Sequence, residues 1–344
     1  MNLRNSRALG AIVLCAAAFA VLLAAPVVAG AKTTTAKLRV LTPTKVLDPG
    51  TTYVVGPEKV KTDPNADCNF GGQGGSGQTY PFQTPTALSL LQAGAEGRGS
   101  LNPLSITDEF GFGLAICGIG AVDDQEGTFW YLKKNHQELA VGADQEPVSK
   151  GDELLIYLAP DNFPAPNPPE LELTAVARAV PGDELTVSAI QHSCTTDPTT
   201  FEVTCASAPA EGVTVSGGSE PVTTGADGTA TVIAADGKKM KLAASRADSI
   251  PAEVLSVCLD EDLSSCPAKR GERIVGRNKG DKIKGTKGAD VIRARGGNDR
   301  IDVRSGGPDR IDCGSGKDRV RGGVDPVKTR GCERVIVSAP PTGG

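Results

Sequence analysis

The sequence predicts a mainly β chain: a small α+β unit, an antiparallel β-sandwich and a C-terminal β-roll or solenoid. Three observations lead there. Short apolar or alternating runs, separated by Pro-Gly, Asp-Gly and Ser-Gly-Gly turns, fill most of the chain. One stretch, around Thr86, reads as a helix. Near the C-terminus the chain repeats itself on a nearly regular nine-residue ruler, which implies stacked identical units.

Residues 1–31 read as a secretory signal peptide. Arg4 and Arg7 supply the positive start, Ala8 to Val28 is almost wholly apolar, and Ala29-Gly30-Ala31 offers a small-x-small cleavage site. Cys15 lies inside this segment, behind a Leu14 too large for a lipobox. No later stretch approaches the roughly 18 apolar residues of a spanning helix. The polar end Pro340–Gly344 carries no anchor signal, so the expected chain is exported and released, or held non-covalently. Eight cysteines follow the signal segment, an even number that fits an oxidising compartment. By position they group as Cys68 with Cys117, Cys194 with Cys205, Cys258 with Cys266, and Cys313 with Cys332. Each of these pairs lies inside one proposed module, which favours this connectivity over the other possibilities. No Cys-x-x-Cys occurs and His136 and His192 are isolated in sequence, so no zinc site is expected.

The first module is expected over residues 37–160. Lys37–Leu41, Phe110–Cys117, Thr128–Leu132 and Glu153–Tyr157 read as strands, and Thr84–Gln92 as a helix with threonine at its start and Pro85 in its first turn. Cys68–Gly77 is a glycine loop; its Gly-x-Gly-x-x-Gly does not join a strand to a helix and is not read as a dinucleotide site. Trp130 and Tyr131 fit a half-buried strand pair, and His136 a solvated hairpin tip. Thr86-Ala-Leu-Ser-Leu-Leu91, Gly113–Ile116, Trp130-Tyr131 with Asn135, and Lys150-Gly-Asp152 together resemble the transcobalamin-like C-terminal domain. That resemblance implies a β-grasp-like fold, a mixed sheet with one helix. The large helical domain that grips cobalamin in the vitamin carriers has no counterpart here, so cobalamin is not expected.

A proline-rich linker, Pro160–Pro169, leads to the second module, 164–267. Seven short segments, starting at Leu171, Leu185, Phe201, Val213, Thr229, Met240 and Val254, argue for an antiparallel sandwich. Gly212–Val215, Ala226–Val232 and Lys241–Arg246 resemble bacterial immunoglobulin-like or carboxypeptidase-regulatory-like domains, which implies a spacer or adhesive role. His192 reads as a surface histidine in a loop beside Cys194.

The tail, 268–337, carries the ruler: Asp281, Asp290, Asp299, Asp309 and Asp318. Each is followed two residues later by Ile283, Ile292, Ile301, Ile311 or Val320, and the last four are preceded at minus two by Gly288, Gly297, Gly307 and Gly316. Two nine-residue units make one flattened coil, so residues eighteen apart stack. Glycine permits the turn, and aspartate offers the hard oxygens that calcium prefers. The segment resembles the hemolysin-type (repeats-in-toxin) calcium-binding nonapeptide, Gly-Gly-x-Gly-x-Asp-x-(apolar)-x, which implies calcium as the ligand of these five aspartates. Ala294 and Cys313 replace the first glycine in two repeats, and one spacing is ten. Glu272-Arg-Ile274 and Glu333-Arg-Val335 read as worn caps at the two ends. From Lys269 to Arg334 there are nineteen Lys or Arg against ten Asp or Glu, a local balance of plus nine in a chain of net charge −5. Aromatic residues stop at Phe201, so the tail's core is thin and aliphatic.

No nucleophile motif, His-Glu-x-x-His or phosphate loop appears. The expected function is that of a secreted, non-catalytic, multidomain calcium-binding protein whose array is ordered by calcium, acting in surface adhesion or extracellular binding. Two alternatives stand beside it. The basic tail could dock on a cell-surface polysaccharide or other polyanion without calcium, or the first module could hold a small molecule or glycan. Nucleic acid is not expected, because the tail has no aromatic residue to stack on bases.

Overall fold

Strand β1 (Thr34–Leu41) places Ala36, Leu38 and Val40 on one buried face and Arg39 on the other. In the computed structural model, which describes residues 33–337 apart from 69–73, 112, 125–126, 164, 268 and 324–326, β1 lies beside the central strand of a nine-stranded sheet. The predicted signal segment and part of the glycine loop lie outside the described residues. Beside β1 run β2 (Val46–Val55), antiparallel, and the strand Glu153–Pro160, parallel; the latter pairs with Thr128–Lys134. Helix α1 (Ala87–Gly97) lays Leu88, Leu90 and Leu91 onto this sheet, against a core that includes Leu38, Tyr53 and Trp130. No helix among the described residues is long and apolar enough to cross a membrane.

Two expected boundaries shift for local reasons. The helix starts at Ala87, not at Thr84, because Thr86 is its cap: its hydroxyl accepts the Ser89 N–H while the Ser89 hydroxyl accepts the Thr86 N–H. Pro85 therefore precedes the helix. The strand expected over Phe110–Cys117 is reduced to Ala115–Ile119, because Gly113 at φ +135° and a turn from Phe110 interrupt it. Strand β2 was not expected at all. Its Asp48-Pro49-Gly50 has turn composition, but a register shift opposite Leu38 and Arg39 absorbs it as a bulge. Asp48, fully buried, accepts the N–H groups of Gly50 and Thr51 and the Tyr53 hydroxyl.

Residues 170–259 form two sheets around a second core of Leu171, Val187, Val215, Val232, Leu242 and Val257. One is built on the long strand Glu184–Thr196; the other runs through Thr214–Ser216, Lys239–Ser245 and Leu255–Leu259. A short extra strand, Arg178–Ala179, pairs parallel with Leu255–Leu259, so the arrangement is not wholly antiparallel. The four cysteine pairs grouped by position are the four disulfides. Cys194 and Cys205 sit directly opposite each other on paired strands.

Both histidines differ from expectation. His192 lies within the strand Glu184–Thr196 and is only 6% exposed. Asn135 and His136 do turn a hairpin, both at positive φ; Asn135 is exposed, but His136 is only partly so. His136 stacks on His192 with ring centroids 3.8 Å apart, so the two are not isolated. Packing of the hairpin against the strand Glu184–Thr196 brings together residues 56 apart in sequence that no local pattern connects.

The tail is a β-roll of two parallel sheets. One stacks Arg273–Val275, Val291–Arg293, Arg310–Asp312 and Lys328–Arg330; the other stacks Lys282–Lys284, Arg300–Val303, Arg319–Gly322 and Arg334–Val337. Residues eighteen or nineteen apart are partners through the first coils, as Lys282, Arg300 and Arg319 illustrate. The N-terminal end of the roll is not a worn cap. Arg273–Val275 pairs parallel with β2, Val275 enters the first core, and Val54 enters the roll's core. The Thr52 hydroxyl bonds the Glu272 carboxylate at 2.9 Å. The roll therefore continues the first sheet and buries an end that would otherwise expose unpaired backbone groups.

Candidate metal centre

Each unit of the roll is a bend, an aspartate and a three- or four-residue strand. The strand's apolar residue points inward: Ile283, Ile292, Ile301, Ile311 and Val320 are each at most 2% exposed, and apart from Val291 their neighbours along the strand are charged and less buried. The bends stack so closely that glycine is required. Gly316 has φ +147°, and a Cβ there would fall 1.7 Å from the Gly297 carbonyl oxygen of the coil above. Gly297 has the same problem against Lys279, at 2.3 Å.

The aspartates end at two corners of the roll, in two columns. In one column, the backbone N–H of Asp281 donates to Asp299 Oδ1 at 2.8 Å and that of Asp299 to Asp318 Oδ1 at 2.8 Å. The N–H of Asp318 donates to Glu333 Oε2 at 2.6 Å. In the other, Glu272 N–H donates to Asp290 Oδ1 and Asp290 N–H to Asp309 Oδ1, each at 2.8 Å. All five aspartates are at most 3% exposed. The row is thus a ladder in which the carboxylates of Asp290, Asp299, Asp309 and Asp318 each clip one coil to the next, and Glu333 supplies its last rung.

What distinguishes the rungs is the second oxygen. Asp281 is met by its own coil: Arg277 donates its backbone N–H to Oδ2 at 2.7 Å and its guanidinium to Oδ1 at 2.9 and 2.7 Å. Asp290 is met by the Thr286 N–H and hydroxyl, both at 2.7 Å. Asp299 and Asp318 are not met in this way. Oδ2 of each is buried with no hydrogen-bond donor. The residue four before Asp318 is Gly314, with no side chain, and four before Asp299 is Arg295, whose guanidinium turns away to the Glu96 carbonyl at 2.9 Å. Burial pushes the Asp299 carboxyl up to about 6, opposed by the Asp281 N–H and reinforced by the charges of Asp318 and Asp281.

These two carboxylates line a groove of about 700 Å³ with Asp281, Asn298, Lys317 and Glu333. Two stacked buried carboxylates, each lacking a donor on one oxygen, fit a hard cation that seeks several oxygens. The same groove carries Lys282, Arg300, Arg319 and Arg334 on its exposed side.

Comparison with known families agrees with this geometry. Residues 275–307 match the RTX calcium-binding nonapeptide repeat. The match spans Asp281, Asp290 and Asp299, and the ladder continues beyond it through Asp309 and Asp318. No curated protein matches the chain. The match supports calcium as the ion of this region, as RTX nonapeptide repeats are calcium-binding structures. The role of Arg277 and Thr286 was missed from sequence, although the signal was present. They stand where the RTX nonapeptide has its second glycine, and a side chain four residues before the aspartate can reach back to it.

Proposed function

We propose that the chain is a secreted, non-catalytic calcium-binding protein whose β-roll takes up the ion chiefly between Asp299 and Asp318. The carrying observation is the pair of buried Oδ2 atoms without donors. Asp281 and Asp290, already bonded by Arg277 and Thr286, compete for the ion less well, so fewer ions bind than the five aspartates would allow. The signal-like segment 1–31, the disulfides and the RTX repeats all support an extracellular setting, where millimolar calcium suits sites of modest affinity. A transcobalamin-like first module and an immunoglobulin-like second module remain part of this reading, as a scaffold presented outside the cell.

The test is calcium titration of the full chain by calorimetry, with thermal unfolding in parallel. The roll shares its sheet with β2, so residues 268–344 alone lack their first neighbour. Heat of binding and a raised midpoint are expected. At a free calcium concentration 100 times Kd, each site adds about 2.7 kcal/mol. Absence of both signals at millimolar calcium overturns the proposal.

A second reading is favoured by one observation. Lys282, Arg300, Arg319 and Arg334 are in register on adjacent strands and exposed, a column of cations spaced by about 4.8 Å. Such a column suits a linear anionic polymer. Retention on an immobilised acidic polysaccharide that falls steeply with salt and ignores chelator supports docking without calcium; retention abolished by chelator assigns the contact to the ion.

A further inference from the structure

The hairpin tip at Asn135-His136 meets the strands Glu170–Thr174 and Glu184–Thr196, and this meeting point collects three metal-ligating side chains outside the roll. His136, Glu172 and His192 present ligand atoms that all lie within 4.8 Å of one another. We propose that they form a binding site for a divalent transition metal of the zinc class, with Nε2 of both histidines and the Glu172 carboxylate as ligands.

The donor set is the first argument. Two imidazoles and one carboxylate are a combination that zinc accepts, with a fourth position left for water. The second argument is how the imidazoles are held. A metal-ligating histidine commonly has its other ring nitrogen tied to a carboxylate, carbonyl or hydroxyl. Here His136 Nδ1 donates to Glu170 Oε2 at 3.0 Å, and His192 Nδ1 lies 2.7 Å from Ser207 Oγ. Both Nε2 atoms are thereby left on the side of Glu172, whose Oε2 is 3.0 Å from that of His192 and 3.9 Å from that of His136.

The third argument is mobility where it is needed. His192 is fixed and buried, whereas the side chains of His136 and Glu172 are 29% and 40% exposed. A tetrahedral zinc ion sets its ligand atoms about 3.3 Å apart. The His136 ring, now 9° from parallel with its neighbour, must tilt and move by on the order of 1 Å to meet that spacing. On binding, the metal takes the place of the proton shared between His192 Nε2 and Glu172, and that proton leaves to solvent. The ion then ties the hairpin of the first sheet to the second pair of sheets.

The test uses the full chain, stripped of metal and titrated with zinc by calorimetry in chelator-free, calcium-free buffer. One zinc ion is expected to bind with proton release, and cobalt(II) in its place to give the visible bands of a low-symmetry nitrogen–oxygen site. His136→Gln and Glu172→Gln, both at partly exposed side chains, should each weaken zinc by at least about tenfold. Asp299→Asn should leave it unchanged, which separates this site from the roll. Circular dichroism establishes that the variants are folded. No zinc heat in the native chain, or the same affinity in both folded variants, overturns the proposal.

Discussion

Glu170 and Asp299 are both carboxylates only 1% exposed, yet their surroundings drive them in opposite directions. Burial pushes Glu170 up, but the hydrogen bond from His136 and the charges of Arg39 and Lys133 outweigh it and hold its carboxyl at about 2. Arg39 lies at 3.0 Å and Lys133 at 3.3 Å. Asp299 has one backbone N–H on Oδ1 and nothing on Oδ2, and burial carries it up to about 6. The first charge is neutralised by the protein's own cations and acts as a fastening between sheets. In the proposed function the second is left for a cation from solution. Burial alone therefore does not single out the proposed ion site; burial with an oxygen that no donor meets does.

The largest expected effect comes from breaking the neutralised carboxylate. Glu170→Gln leaves Lys133 buried without its close anion and Arg39 with only the longer contact to Glu153 at 3.4 Å, at a cost of about 3–5 kcal/mol in urea unfolding. Calcium should not change that loss. A loss below about 1 kcal/mol would mean that Glu170 is no fastening and that the contrast with Asp299 fails.

Arg277→Gln sharpens the comparison inside the roll, because it turns a neutralised rung into an exposed demand. Asp281 keeps the backbone N–H of residue 277 but loses both guanidinium bonds. Unfolding in chelator should cost about 3 kcal/mol, the usual result of removing one partner of a buried pair. Calcium should restore part of it, since Asp281 lines the same groove as Asp299 and Asp318. Equal losses with and without calcium would show that the ion does not reach this rung.

Much of this was legible from sequence. The nine-residue period gave the roll, its inward residues and its stacked aspartates, because each unit repeats one local solution. The four disulfides were legible because each closes within one module. What was hidden depends on contacts between distant segments. β2 was obscured by its Pro49-Gly50 bulge, and its pairing with Arg273–Val275 joins residues more than two hundred apart. His136 and His192 looked isolated for the same reason. Within the candidate site, the aspartates were plain, but which of them lacked a donor depended on where Arg277, Thr286 and Arg295 point.

Asp299→Asn gives the smallest effect without calcium and the most pointed one with it. Asparagine can still accept the Asp281 N–H through its amide oxygen, while it removes the buried charge. In chelator near pH 4, where the native carboxyl is protonated, the variant should stay within about 1 kcal/mol of the native chain. At neutral pH, free calcium at 100 times Kd should add about 2.7 kcal/mol to the native chain and not to the variant, the linkage contribution of one lost site. The pH dependence carries the same sign. The folded carboxyl titrates at about 6, above the ordinary value of about 3.9, so in chelator the native roll loses stability as pH rises from about 4 to about 6. The variant should lack that slope, and calcium should offset the loss in the native chain by supplying the missing counter-charge. A native chain whose stability in chelator is flat across this range would place Asp299 with Glu170, as a carboxylate already neutralised from within.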